Sequence, residues 1–293
     1  FRFLLVNLAI LPFRSKKSAL AYQKIWSKEG SPLLVNSHNL LESVTSKIGG
    51  KYETALGMRY GSPSIKDALD NLSHCTDITV LPLYPQYASS STGSAVEEVL
   101  RYFKTKTNIP GLRIQEAFYS DPDFIQSWVE ILAEHQKKHN WDHLLFSYHG
   151  LPERHVRQNE TGKVNCDMHK ACPQMNKANR FCYRAQCYET TRLICDQLGL
   201  RQGEFSVGFQ SRLGVRKWIK PYTDKIMPDL RKRGVNNLAV VCPSFVSDCL
   251  ETLEEIAVRG KDSWISLGGR KLTLVPCLNN SRRWVDSVIK MVS

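Results

Sequence analysis

One histidine in this chain stands where it could exchange protons with a bound molecule. His149 comes three residues after the apolar run at 144–146, and the Gly-Leu-Pro at 150–152 interrupts the extended pattern behind it. The carboxyl ends of strands in open α/β sheets are where ligands bind, and a neutral imidazole accepts protons near physiological pH. The segment therefore indicates a proton acceptor, although a lone histidine is more often a packing residue.

Three carboxylates recur at helical spacing in the last fifth of the chain. Asp248, Glu251 and Glu255 are three and four residues apart, so an α-helix would place them on one face. Such a row could carry a divalent cation or relay protons. The alternative is helix capping, with Asp248 at the N-cap and Glu251 three residues later. Capping is the stronger interpretation of the spacing alone, but it leaves Glu255 unexplained.

Four of the nine cysteines fall in one polar segment. Cys166, Cys172, Cys182 and Cys187 follow the spacing C-x5-C-x9-C-x4-C. Four thiols at this density favour a tetrathiolate site for zinc or for an iron-sulfur cluster, and the spacing matches neither zinc-ribbon nor ferredoxin patterns. His169 is an alternative ligand. The other five cysteines are scattered among apolar neighbours, as is typical of reduced core thiols in a cytoplasmic protein.

Short apolar runs alternate with amphipathic stretches along the chain. This alternation predicts an α/β fold with parallel sheets flanked by helices, in two halves that meet near residue 140 and pack as one body. A helix beginning near the small residues at 89–94 could hold a phosphate or carboxylate, but the chain has neither a Walker lysine nor a G-x-G-x-x-G motif. The predicted strands lie at 32–35, 78–83, 144–148, 238–243 and 272–277, and the clearest predicted helices at 94–106 and 123–139.

The net charge of +12 indicates attraction to anionic partners. No nucleic-acid-binding motif accompanies the charge, so nucleic acid is not an expected partner. No apolar run approaches the ~20 residues needed to cross a bilayer. Residues 1–17 are mostly apolar and end in a basic cluster, which suits either contact with a membrane surface or a core helix cut short by Pro12. Since the chain opens on Phe1, we expect further residues ahead of it.

Aromatic and polar residues follow several of the predicted strands. Because strand ends gather at one edge of a parallel sheet, we expect these side chains to line one cleft, whose aromatic walls suit a large planar ligand. They are Arg59, Tyr60, Tyr84, Tyr87, His149, Ser211, Phe245 and Glu251.

Five sequence blocks together resemble the ferrochelatase family, most closely its proteobacterial branch. They are GMRYGSPS, LPLYPQYASSSTGS, FSYHGLPERH, FQSRLG followed by KWIKPYTD, and CPSFVSDCLETLEEI. The resemblance implies a chelatase-like fold of two Rossmann-like halves around a porphyrin cleft. Residues 1–140, completed by 270–293, would form one half, and 141–269 the other. The implied activity is insertion of ferrous iron into protoporphyrin IX to make protohaem, the last step of haem synthesis.

The resemblance also assigns residue roles. His149 and Glu251 match the family's catalytic histidine and glutamate, with Asp248 and Glu255 continuing a metal-binding acidic line. Cys249 stands where many members have a histidine, so no role of that histidine is carried over. The family positions that line the macrocycle fall on Arg59, Tyr60, Tyr84, Ser211, Trp218 and Phe245.

The four-cysteine segment is an insertion relative to simpler bacterial members. Since some relatives hold a [2Fe-2S] cluster, the resemblance implies such a cluster on Cys166, Cys172, Cys182 and Cys187, with zinc as the alternative. The family's usual first strand is expected to be absent from this sequence. The implied location is the cytoplasm, with peripheral contact at the inner membrane through residues 1–17.

Two other functions compete with this one. The first is a chelatase for coproporphyrin, or one that inserts cobalt into a related tetrapyrrole. The second is a haem or porphyrin carrier without catalysis. A carrier needs pocket aromatics but no paired base and carboxylate, so the presence of both His149 and Glu251 favours an enzyme.

Overall fold

Two parallel β-sheets frame the protein in a computed structural model, which describes residues 18–158, 170, 172–214 and 216–293. The first sheet pairs β1 (Asp77–Val80) with β2 (Gly111–Ile114). The second has the order β4-β3-β5-β6, with all neighbours parallel. Its strands are β3 (His143–His149), β4 (Phe205–Gln210), β5 (Asn237–Val241) and β6 (Lys271–Leu274).

Helices connect and cover these strands. In chain order they are α1 (Pro32–Ile48), α2 (Ile65–Asn71), α3 (Ser94–Phe103), α4 (Pro122–Lys138), α5 (Glu153–Gln158), α6 (Tyr183–Leu198), α7 (Thr223–Lys232), α8 (Leu250–Thr252), α9 (Lys261–Ser266) and α10 (Arg282–Val292). Two π-helical segments, Ser89–Gly93 and Leu253–Gly260, lead into α3 and α9. The predicted α/β architecture with parallel sheets flanked by helices is confirmed.

Strand β3 is the centre of the second sheet. Six of its seven residues are buried, because β4 and β5 flank it and helices cover both faces. A strand covered on both faces is a near-continuous apolar run, which is why the sequence signal at 144–148 was strong. One buried cluster joins β3 to side chains of α4 and α10, among them Trp128 and Trp284. Side chains from before and after residue 140 thus share one hydrophobic core.

The strand predicted at 32–35 is wrong, because these residues begin helix α1. Pro32 occupies the first turn, where its missing N–H costs nothing and its fixed φ favours a helix start. The buried positions Ser37, Leu40 and Val44 then recur every three or four residues. A window of four apolar residues conceals this period, which emerges only over the full 17 residues of the helix.

The segment 270–293 contacts elements on both sides of residue 140. Strand β6 pairs with β5 in the second sheet, whereas α10 packs against α1 and α4. Ion pairs join α10 to both of these helices, Arg283 to Glu130 at 3.2 Å and Asp286 to Lys47. The division into halves near residue 140 stays a prediction.

Residues 1–17, with the apolar segment proposed to meet a membrane, lie outside the described residues. Within the described part of the chain, no helix combines the length and the apolar character that crossing a bilayer requires.

Candidate active site

His149 is the last residue of β3, and its peptide group is fixed on both sides. Its N–H donates to Ser244 Oγ at 3.0 Å, and its carbonyl accepts from the Tyr183 hydroxyl at 2.8 Å. In the ring, Nδ1 lies 2.6 Å from the Gly150 carbonyl oxygen, which can only accept. The proton therefore resides on Nδ1, and Nε2 keeps its lone pair. The imidazole packs against Phe245 with ring centroids 6.1 Å apart.

Only a glycine fits directly behind this histidine. A Cβ on Gly150 would lie 2.6 Å from the Gln210 carbonyl oxygen and 3.3 Å from the Trp218 ring. Trp218 is buried, and its indole N–H donates to the Leu213 carbonyl at 2.9 Å. A side chain at position 150 would therefore not fit between the end of β3, β4 and Trp218. This close packing fixes the position of His149 at the end of the strand.

The acidic segment, residues 248–260, is hydrogen-bonded to the end of β4. Glu255 accepts hydrogen bonds from the Ser211 amide at 2.9 Å and the Ser211 hydroxyl at 2.6 Å. Gln210 Nε2 donates to the Glu251 carbonyl oxygen at 2.7 Å. Glu251 lies in α8 and Glu255 in the π-helix that continues it, so the two carboxylates follow a wider turn than the α-helix expected from their spacing.

Asp248 has a different environment from the two glutamates. It is buried, and its carboxylate accepts from Thr252 Oγ1 at 3.0 Å, Asn279 Nδ2 at 2.8 Å and the Cys277 amide at 3.2 Å. The N-cap of α8 is Cys249, so the interpretation that placed Asp248 at the cap is wrong by one residue. Asp248 instead joins the start of α8 to the loop that follows β6.

Two residues near the start of the described chain contact the acidic segment. Burial raises the pKa of Tyr22, and the nearby Glu251 and Cys249 raise it further. Lys24 Nζ lies 3.3 Å from a carboxylate oxygen of the buried Glu254. Sequence reasoning missed both, since more than 200 residues separate each from its partner, and the only local signal is the amphipathic run at 18–26.

A second group of predicted residues lies at the start of α3. Arg59 Nε donates to Ser94 Oγ at 2.9 Å, and its guanidinium stacks 4.7 Å from the ring centroid of Tyr60. Tyr60 is 76% exposed. Burial raises the pKa of Tyr84, Tyr60 adds to the rise, and the charge of Arg59 opposes it, so the three residues are neighbours.

Helix α6 connects the two groups. Gln186 accepts from the Tyr87 amide at 2.7 Å, and Thr190 accepts from Gln86 Nε2 at 3.1 Å. The loop that follows Tyr84 is thereby fixed to the helix whose first residue, Tyr183, holds His149.

Three of the four clustered cysteines are described, and they lie around the start of α6. Cys182 and Cys187 are buried, Cys172 is partly exposed, and Arg184 Nη1 donates to Cys172 Sγ at 2.9 Å. Burial raises the pKa of the Cys187 thiol well above its ordinary value, and Cys172 and Cys182 add to the rise. Cys166 and His169 lie outside the described residues.

The prediction that the other five cysteines are core thiols holds for four of them. Cys195, Cys242, Cys249 and Cys277 are buried, whereas Cys75 is partly exposed.

The donor atoms of His149, Glu251 and Glu255 do not converge as a closed metal site. Within the described ranges, one trio of such residues brings its donors within 4.8 Å of one another, and that trio is Glu53, His74 and Cys75 on the surface ahead of β1.

Two solved structures share this fold. The structure is similar to the sirohydrochlorin chelatase SirB from Bacillus subtilis subspecies spizizenii, solved in complex with cobalt, with a TM-score of 0.60 at 10% identity over 91% of this chain and 90% of that one. It is also similar to CbiX, the terminal enzyme of siroheme biosynthesis in denitrifying bacteria, with a TM-score of 0.52 at 15% identity over 90% and 94% of the two chains. At these identities the likeness concerns the fold alone.

Sequence comparison identifies the family. The profile of the ferrochelatase family matches residues 1–293. The chain is 47% identical to the ferrochelatase of Legionella pneumophila (strain Paris), over 100% of this chain and 87% of that protein. It is also 47% identical to the ferrochelatase of Coxiella burnetii (strain Dugway 5J108-111), over 99% and 81% of the two chains. The chain belongs to the ferrochelatase family and is a metal chelatase.

Proposed function

We propose that this chain inserts ferrous iron into protoporphyrin IX to make protohaem, with His149 as the proton acceptor. The observation that carries the proposal is the contact of His149 Nδ1 with the Gly150 carbonyl, because it leaves Nε2 as the ring nitrogen that can accept a proton. Two pyrrole N–H protons must leave as the metal enters, so a histidine that accepts protons beside the macrocycle would perform an essential step.

Glu251 and Glu255 are the residues we assign to the incoming iron. Oxygen donors can hold Fe²⁺ before it passes to the nitrogen ligands of the macrocycle, which bind it more tightly. Both carboxylates lie on the segment that is fixed to the end of β4. Asp248 was grouped with them from its spacing. Its three hydrogen-bond donors support a positioning role for Asp248 in the loop, with Glu251 and Glu255 as the metal-binding pair.

The porphyrin is proposed to bind among the aromatic and basic residues. Arg59 supplies a cation for a propionate, and the exposed ring of Tyr60 offers an apolar face. Tyr84, Phe245, Trp218 and Ser211 complete the proposed lining. Phe245 and Trp218 are the members that adjoin the histidine segment.

A comparison of substrates tests this assignment. Initial rates are measured with protoporphyrin IX, coproporphyrin III and sirohydrochlorin, each with Fe²⁺ and with Co²⁺ under anaerobic conditions. The account expects the highest kcat/KM for protoporphyrin IX with Fe²⁺. A higher value for coproporphyrin or for cobalt would replace the proposed substrate pair.

The cysteine segment is proposed to hold a [2Fe-2S] cluster through Cys166, Cys172, Cys182 and Cys187. Three described thiols around the start of α6 support this proposal, and Arg184 adds a positive charge beside Cys172. A buried thiol with a raised pKa is stabilised as thiolate when a metal replaces its proton. The cluster would hold the segment against the start of α6.

The optical spectrum distinguishes the two candidate metals. Protein reconstituted with ferric iron and sulfide should show thiolate-to-iron charge-transfer bands that Cys187→Ser abolishes. A colourless protein containing one equivalent of zinc would establish the zinc alternative instead.

Peripheral contact with the inner membrane from the cytoplasmic side is proposed for residues 1–17. The described residues that follow this segment support the proposal. Leu20 is 61% and Trp26 57% exposed, and the protein as a whole has a high positive charge. Co-sedimentation with anionic liposomes should fall when residues 1–13 are deleted. Equal sedimentation of the full and shortened chains would exclude this segment as the anchor.

A further inference from the structure

Three potential metal ligands that the proposed reaction does not use converge on the surface ahead of β1. The side-chain donor atoms of Glu53, His74 and Cys75 all lie within 4.8 Å of one another. His74 Nε2 is 2.8 Å from Glu53 Oε1 and 4.0 Å from Cys75 Sγ. One imidazole nitrogen therefore faces both a carboxylate and a thiol.

Local contacts hold these three residues in place. His74 and Cys75 occupy the turn between α2 and β1, where the Cys75 amide closes a hydrogen-bonded turn. Glu53 follows α1, and its neighbour Thr54 is hydrogen-bonded to Thr45 of that helix at 2.5 Å. The side chains of Glu53 and His74 are exposed, and Cys75 is partly exposed. An ion can thus reach all three donors from solvent without any opening of the fold.

The donor set and its spacing suit zinc. Zn²⁺ accepts imidazole nitrogen, thiolate sulfur and carboxylate oxygen at bond lengths of about 2.0–2.3 Å, which in a tetrahedron separate N from O by about 3.3 Å and N from S by about 3.6 Å. The separations of 2.8 and 4.0 Å each differ from these values by about half an ångström, so small side-chain rotations complete the site. Thiolate and imidazole together favour zinc over magnesium, calcium and manganese.

We propose that Glu53, His74 and Cys75 bind a Zn²⁺ ion, with water as the fourth ligand. Binding releases the thiol proton of Cys75 to solvent and replaces the hydrogen bond between His74 and Glu53 with bonds to the metal. The ion links the chain that follows α1 to the turn that leads into β1. The site is independent of the proposed function, because it includes none of the residues assigned to the porphyrin, to iron or to the four-cysteine segment.

The test measures zinc binding to the full chain under anaerobic, reducing conditions. Competition with a chromophoric chelator gives the stoichiometry and affinity for wild type, His74→Ala and Glu53→Gln. Because the four-cysteine segment can also bind zinc, the difference between the proteins decides. Wild type should bind one equivalent that each variant loses or binds at least about tenfold more weakly, since loss of even an outer-shell partner costs about 10–100-fold. Equal stoichiometry and affinity in wild type and His74→Ala would overturn the proposal.

The matched control is His38→Ala, which removes an exposed histidine of α1. It should bind zinc as wild type does. If this variant lost the same equivalent as His74→Ala, the binding would be a general property of surface histidines and the proposal would be wrong.

Cobalt(II) in place of zinc tests whether the thiol is a ligand. A thiolate-to-cobalt charge-transfer band in wild type should weaken by the same amount in His74→Ala and in Cys75→Ala, because both residues hold one ion. His38→Ala should retain the whole band. Retention of the whole band by Cys75→Ala would exclude its sulfur from the site and contradict the proposed set of three ligands.

Discussion

One nitrogen of the His149 ring is held by a hydrogen bond, and this organises the chemistry. Nδ1 is bound to the carbonyl of the next residue, whereas Nε2 has its lone pair available. The neighbouring carboxylates are also unequal. Glu255 is bound by two groups of Ser211, a residue held at φ 62°, where non-glycine residues are uncommon. Such strain persists only where surrounding contacts enforce it, which supports a functional position.

Glu255→Gln tests the role of charge at this position. The amide keeps an oxygen to accept from the Ser211 amide, so the fold is retained while the negative charge is lost. The account predicts a loss of at least about tenfold in kcat for iron insertion, with porphyrin affinity unchanged, since one charge-assisted contact of this kind is worth about 1.5–3 kcal/mol. Stopped-flow rates and fluorescence titration measure the two quantities. Ser211→Ala, which keeps the carboxylate, should lose much less activity, and an equal loss would assign Glu255 to positioning alone.

Arg59→Gln tests the propionate contact. Removal of the guanidinium should raise KM for protoporphyrin about tenfold and leave kcat within about threefold, because the charge acts on binding. The control is Arg101→Gln, an arginine on α3 that pairs with Glu97 and Glu98 at the surface. Steady-state kinetics with the dimethyl ester of protoporphyrin provide a further check. If the ester and the free acid lost affinity equally, Arg59 would not contact the propionates.

At the scale of elements, the acidic segment combines one α-helical turn with eight residues of π-helix. Irregular helices of this kind are rare and concentrate at functional sites. The start of the segment is secured by Asp248, and its third residue, Thr252, accepts from the Cys249 amide at 3.0 Å. The carboxylate of Asp248 therefore determines where the two glutamates begin their turn.

Asp248→Asn should weaken the fold rather than the chemistry alone. The amide nitrogen that replaces one carboxylate oxygen can only donate, and two of the groups around Asp248 are N–H donors as well. The free energy of unfolding should fall by about 1–3 kcal/mol. Urea denaturation followed by circular dichroism measures the change. Wild-type stability with lost activity would instead place Asp248 among the iron ligands.

The pattern of apolar residues predicted those helices and strands in which the same faces are buried along the whole element. Strand β3 was predictable because both of its faces are covered, and α4 because its amphipathic period extends over 17 residues. The same reasoning failed at 32–35, where four apolar residues begin a helix, and at β2, whose residues are all at least partly exposed. His149 was found as a strand-end residue. Its partner Tyr183 was not, since a contact across 34 residues leaves no local signal.

At the scale of the whole molecule, two buried histidines couple stability to pH. Burial lowers the pKa of His135 and of His143 to about 4, from an ordinary value of 6.5, and neighbouring positive charges contribute to both shifts. Below pH 6.5 these two histidines bind protons in the unfolded chain but stay neutral in the folded protein until the pH approaches 4. Stability is therefore full above pH 6.5 and declines as the pH falls toward 4.

The pH dependence can be assigned with single variants. His143→Gln should flatten the decline between pH 6.5 and 4, as measured by the urea midpoint at each pH, whereas the same change at the exposed His38 should not. A decline of unchanged steepness in His143→Gln would show that other groups are responsible.

The most direct test of the account compares wild type with His149→Ala in anaerobic iron insertion. Each protein is incubated with protoporphyrin IX and ferrous iron, and the loss of porphyrin fluorescence gives the rate. The account predicts rapid insertion by wild type and a collapse of the rate in the variant, with porphyrin still bound by both. Insertion by His149→Ala at the wild-type rate would contradict His149 as the proton acceptor, and tight binding without insertion by either protein would favour a carrier.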